Sequence, residues 1–198
     1  MVAENARTGR RTGGRMPKPF RRIVTANDAN GRSEVQLDEP ATKEFATVLT
    51  EMWVTTAGPH NHTDRVDHAT KSRSLEPPAG GSVFRFIRLP PASAFAGMTG
   101  EQRELRMAEV FAAMNAAHTR RDVSKSPGMH QTSTTDYIVL LSGKVRLVLD
   151  KEERDLEPFD VVIQRGTNHA WINTGEEDAL LMGVLLDDGS ARLDEGGP

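Results

Sequence analysis

Residues 129 to 186 narrow the possible folds more than any other part of the chain, because apolar and polar side chains alternate there in short runs separated by turn formers. The expected strands are Met129–Thr134, Asp136–Ser142, Lys144–Leu149, Glu153–Leu156, Val161–Gln164, His169–Asn173 and Ala179–Leu186. Turns at Ser142-Gly143 and from Asp150 to Arg154 space them as consecutive hairpins. Strands of this number and length escape exposed edges by closing on themselves, and the closure leaves a central cavity. The expected fold class is therefore all-β, a jelly-roll barrel.

The rest of the chain supplies the barrel with additions. Residues 1–19 are rich in Arg, Gly and Thr, with little to bury, and read as a disordered or docked basic arm; Met16 is a second candidate start. Residues 20–98 read as outer strands and a long loop. The strands are Arg22–Thr25, Glu34–Leu37, an apolar stretch from Phe45 to Val54, and Ser82–Leu89. The loop, Gly58 to Gly81, is a surface segment or lid closed by Pro77, Pro78, Gly80 and Gly81. One helix is expected over residues 99–121, with Thr99 as cap and Gln102 three residues on, and Leu105, Met107 or Ala108, Phe111, Met114 and Ala117 as the stripe that packs on the barrel's outside. Residues 122–190 form the barrel core and 191–198 a tail.

Composition excludes several functions. The chain has 25 basic and 28 acidic residues, a net charge of −3, so it offers no global field for nucleic acid or an anionic membrane. It has no cysteine, which removes disulfides and thiolate chemistry and leaves His, Asp and Glu as metal donors. No apolar run is long enough to span a bilayer and no secretory signal is visible, so a cytoplasmic location is expected.

On regular strands, His130, Thr132, Thr134 and Asp136 share one face, as do His169, Trp171 and Asn173. Ile138, Leu140, Val145, Leu147 and Leu149 continue the apolar alternation, which makes the polar groups the wet end of a greasy interior suited to a small molecule. Tyr137 has the opposite parity and points outward. Gln164 and Arg165 are candidates for orienting a substrate carbonyl or carboxylate, and Trp171 for a pocket wall. His60, His62 and His68 have a metal-like spacing but no expected scaffold, and read as a solvated cluster.

The frame His130-x-Thr132-x3-Asp136-x6-Gly143 resembles the first cupin signature, Gly-x5-His-x-His-x3-Glu-x6-Gly, in spacing. Gln164-Arg-Gly166-x2-His169-x3-Asn173 resembles the second, with Gln in place of Pro, and Pro158-Phe159-Asp160 stands where cupins have a Pro-Gly-Asp turn. The chain is thus similar to small single-domain cupins with an N-terminal extension. The resemblance implies a jelly roll with an N-terminal β arm and one packed helix. It also implies a homodimer, with the arm packed across a partner. Carried over by position, it makes His130, Asp136 and His169 three of four metal ligands, with Thr132 in the place of the fourth.

Two readings of the site follow. In one, the three ligands hold Fe, Mn, Ni or Zn and support lyase, isomerase or decarboxylase-like chemistry on a carbonyl or aromatic substrate, or ring opening by a dioxygenase at a two-His, one-carboxylate iron. In the other, the two histidines simply hydrogen-bond inside a metal-free barrel that binds a small ligand.

Overall fold

A computed structural model describes residues 19–41, 44–45, 48–58, 65–187 and 189. The expectations for residues 1–18, His60, His62 and the tail 191–198 lie outside the described residues. Among those described, no helix is long and apolar enough to cross a membrane.

The strands are β1 (Arg21–Asn27), β2 (Ser33–Pro40), β3 (Glu44–Phe45), β4 (Leu49–Thr55), β5 (Ser82–Leu89), β6 (Thr135–Ser142), β7 (Val145–Leu149), β8 (Glu153–Leu156), β9 (Val161–Arg165), β10 (His169–Asn173) and β11 (Ala179–Leu186), with helix α1 (Gly100–Ala113) between β5 and β6. A six-stranded sheet in the order β3-β4-β5-β11-β6-β9 faces a three-stranded sheet, β10-β7-β8. This is the expected all-β jelly roll with one helix. Ile138, Leu140, Val145, Ala179 and Leu181 close one end of its interior. Gly143, the last residue of the first signature frame, has φ +90°, and a Cβ there would lie 2.7 Å from the Ala179 Cβ. Only glycine both adopts this turn and lets β11 pass so close.

The hairpin β1–β2 stands apart as a two-stranded sheet. Arg22 ties it to the barrel: its guanidinium donates to Glu39 at 2.6 Å, to Asp67 at 2.5 Å and to the Met52 carbonyl at 3.3 Å. Phe20 stacks on Phe86 at 4.2 Å.

Three local expectations change. Residues 129–134 do not form a regular strand, because their backbone groups bond outside any ladder: Gln131 N–H donates to Thr119 O at 2.8 Å, and Thr134 O accepts from Gly166 N–H at 3.0 Å. Thr99 and Gln102 do form the reciprocal capping box, but α1 ends at Ala113 rather than near 121. Asn115 enters the left-handed region at φ 53°, which Asn tolerates better than most residues, and a short 3₁₀ turn, Ala117–Thr119, follows. The long loop is more than surface. Its second half packs as a strap, with Leu75 buried against Leu49, Phe111 and Met114 and its N–H donated to Met114 O at 2.8 Å.

Across β4 and β5, Glu51 and Arg85 are register partners with fully buried side chains, 2.8 Å apart. Arg85 also donates to Leu75 O at 2.8 Å and to Ser74 O at 3.1 Å, so the ion pair holds the strap from inside. Removing one partner strands a buried charge, a cost of about 3–5 kcal/mol, whereas replacing both by apolar groups is often neutral. Glu51→Ala is therefore expected to lower the unfolding free energy by about 3–5 kcal/mol in urea titration, and Glu51→Met/Arg85→Met to recover most of it.

Phe159 occupies the glycine place of the Pro-Gly-Asp turn at φ 77°, with its ring 78% exposed. A bulky L-residue in this region costs about 1–2 kcal/mol. Phe159→Gly is expected to raise stability by up to about 1 kcal/mol after the unfolded-state entropy of glycine is counted, as thermal melting would register.

Candidate functional site

A cavity of about 300 Å³ opens between the barrel and α1. Most of its wall is apolar, from Leu49, Ile87 and Leu89 on the sheet to Met107, Val110, Phe111 and Met114 on and just past the helix. The apolar stripe of α1 thus forms one side of the cavity. Leu105, expected in that stripe, is 64% exposed, since the helix turns the Phe111 side inward.

His130, Asp136, His169 and Trp171 all line this cavity. His169 and Trp171 alternate inward on β10 as expected, and Asn173 lines the cavity too. The Asn173 amide is spent on structure, donating to Leu89 O at 2.8 Å and Glu177 O at 2.7 Å. His130 precedes β6 and reaches the site by another route, an isolated antiparallel bridge to His169 with both N–H···O bonds at 2.9 Å. The bridge brings the two imidazoles to 4.3 Å between centroids. Phe111 flanks His130 at 4.9 Å, and Trp171 meets His169 edge-on at 5.5 Å.

Each ring is fixed in one tautomer. His130 Nδ1 lies 3.0 Å from Gly128 O and His169 Nδ1 lies 2.8 Å from Thr167 O. A carbonyl only accepts, so in the neutral ring the proton sits on Nδ1 and Nε2 keeps its lone pair. Burial pushes the pKa of His130 down, aided by the Arg120 charge, and pushes that of His169 well down, aided by His130. Two neutral imidazoles therefore stand side by side at neutral pH.

The other expected site residues are placed differently. Thr132 is buried but does not line the cavity; its hydroxyl bonds that of Thr134 at 2.8 Å. Gln164, also buried, turns its amide to Thr167, at 3.1 Å from the carbonyl, and so shapes the turn that delivers His169. Arg165 is exposed and outside the cavity lining, and Tyr137 faces outward at 45% exposure. His68, at the edge of the strap, does not line this cavity but faces a separate groove.

Arg85 is the functional candidate that inspection of the histidine motifs misses. It lines the cavity, and Asp136 as well as Glu51 favours its charge against the lowering effect of burial. The signal was available, since Arg85 shares its strand face with Val83, Ile87 and Leu89, and an arginine on an apolar face needs a carboxylate partner.

The donor set bears directly on the expected metal. Among the described residues, no three His, Asp or Glu side chains come together closely enough to hold one ion. Asp136 instead shares the field of Arg85, a fixed cation in the same wall. Thr132, in the place of the fourth ligand, has its hydroxyl bonded to Thr134. As placed, Asp136 does not join the two imidazoles in one three-donor cluster.

A protein-family model described as a cupin domain matches residues 121–185. A phomopsin biosynthesis cluster protein of Diaporthe leptostromiformis is 31% identical over 163 residues, 77% of this chain and 69% of that protein. A cupin-domain-containing oxidoreductase of Aspergillus ruber is 40% identical over 63 residues, which span 30% of this chain and 31% of that one. Among solved structures, a Cupin 2 conserved barrel domain protein from Salinispora arenicola aligns with 55% of this chain and 65% of its own, at 16% identity and a TM-score of 0.34.

The histidine shifts fix the sign of a pH effect. Both rings bind protons less readily folded than unfolded, so below the ordinary histidine value of 6.5 the unfolded chain holds more protons. The stability they contribute is complete above that value and lost as pH falls through it. The urea midpoint is expected to drop from about pH 7 to about pH 5.5, and to drop less in His169→Gln; equal slopes in the two proteins would contradict the assignment.

Proposed function

Because the chain belongs to the cupin domain family, we propose that its barrel is a small-molecule enzyme in which the His130–His169 pair moves a proton on an apolar or aromatic carbonyl compound. The observation that carries this reading is the pair itself: a buried imidazole, His169, beside a half-buried one, His130, Nδ1 of each engaged by backbone, at the polar end of an otherwise apolar cavity. One Nε2 accepts a proton from a carbon beside the substrate carbonyl. The apolar walls exclude water, which strengthens each electrostatic contact in the site. Because the two rings are coupled by proximity, protonating one disfavours protonating the other. The pair therefore holds a single proton during turnover and returns it at a second position. Returned to a second carbon, the proton completes an isomerisation; delivered to a leaving group as its bond to the β-carbon breaks, it completes a lyase elimination.

The Arg85 guanidinium, fully buried and paired with Glu51, compensates the charge of Asp136 in the cavity wall. Asp136 holds the opposite sign next to it and bounds the polar end of the cavity.

Cupin domains often bind a metal. A metal-assisted route, or ring opening at a two-His, one-carboxylate iron, requires Asp136 to leave the field of Arg85 and join the imidazoles. The donor arrangement favours the metal-independent route.

The test is exchange of carbon-bound hydrogen in D₂O across a panel of apolar aromatic ketones and keto acids, followed by mass spectrometry. Catalysed exchange is expected to survive chelation and to fall by about 10²- to 10⁴-fold in His130→Ala and in His169→Ala. Exchange that persists in both variants would refute the histidine assignment. Stoichiometric Fe, Mn, Ni or Zn in protein purified without a His tag, lost in His130→Ala, would restore the metal-assisted route.

A further inference from the structure

The strap that closes the barrel has two sides. Leu75 faces the barrel cavity, while its neighbours Ser74 and Glu76 face a separate groove of about 450 Å³. We infer that this groove is a second ligand site, for a small dianion carrying a phosphate or a pair of carboxylates.

Two cations and two carboxylates line the groove, and they differ in how they are partnered. Both carboxylates that face the groove are engaged: Glu76 with His118 Nε2 at 2.8 Å, and Asp187 with the Gly80 N–H at 2.7 Å. The cations Lys71 and Arg73 face the same groove, and among the described residues neither has an ion pair. Two cations on an open surface are ordinarily just solvated. Here they share a concavity that the buried Ser133 and Thr134 also line and whose rim is stiffened by Pro77 and Pro78.

The site is also held in shape before any ligand arrives. Asp67 caps the short 3₁₀ turn His68–Lys71, accepting the Ala69 N–H at 3.0 Å, and Arg85 bonds the Ser74 and Leu75 carbonyls from beneath. The backbone that carries Lys71 and Arg73 therefore loses little freedom on binding. A dianion between Lys71 and Arg73 gains charge-assisted hydrogen bonds from both, and the guanidinium fork matches a phosphate or carboxylate edge. Monovalent or neutral molecules satisfy only one of the two cations.

The experiment titrates inorganic phosphate and, separately, succinate into the ¹⁵N-labelled full chain and follows amide shifts. Saturable shifts across residues 71–76 with phosphate alone assign the site to phosphate-bearing ligands; shifts with succinate alone assign it to dicarboxylates. Lys71→Ala/Arg73→Ala is expected to weaken binding about a hundredfold, about tenfold for each cation removed. Lys71→Gln/Arg73→Gln, which keeps the side chains' bulk along the strap, carries the same expectation. His130→Ala/His169→Ala is expected to bind as the wild type does, which separates this site from the barrel cavity and its proposed chemistry. Absence of saturable shifts with either dianion, or undiminished binding in both Lys71/Arg73 variants, would overturn the inference.

Discussion

The pair of backbone hydrogen bonds between His130 and His169 is the constraint on which the site depends. It is an isolated bridge, formed by a segment that has not yet entered β6 and by the first residue of β10. Those two strands lie in different sheets, so the bridge ties the two layers together where the barrel opens. It also sets the distance between the rings. Each imidazole then turns its Nδ1 back to a carbonyl two residues upstream, Gly128 or Thr167, so backbone alone determines both tautomers. Such positioning is stiff, because no flexible side chain intervenes.

Around that bridge the interior balances charge in an unusual place. Arg85 and Glu51 are both fully buried, and Asp136 interacts with the same guanidinium. A buried ion pair is weak evidence of stability, since desolvation offsets most of the attraction. Its value here lies in position. Arg85 reaches from the wall of the barrel cavity to the carbonyls of Ser74 and Leu75, so one side chain connects the cavity to the strap that roofs it. The strap in turn separates two concavities of different character, one mostly apolar and one lined by charged and polar side chains of both signs.

Departures from the cupin signatures have separate physical outcomes. Thr132 replaces a donor with a hydroxyl, and that hydroxyl turns to Thr134. Gln164 replaces a proline and uses its amide to stabilise the turn into β10. Phe159 replaces a glycine, and the backbone keeps the left-handed conformation at the expense of strain. In each case the spacing of the signature is kept and the side-chain chemistry differs.

The sequence by itself determined the barrel, most strand boundaries from β6 to β11, the capping box at Thr99 and Gln102, and the inward parity of His169, Trp171 and Asn173. These depend on local periodicity and short-range hydrogen bonds, which a linear string encodes directly. Only the tertiary structure decided that residues 129–134 leave the strand pattern, because Thr119 and Gly166, distant in sequence, take their hydrogen bonds. The same holds for the contribution of α1 to the cavity wall, the burial of Leu75, and the meeting of Arg85 with Glu51 and Asp136. Parity shows which way a side chain points along a regular strand. What stands opposite it depends on how sheets, helix and strap close on one another, and that closure assembles the site.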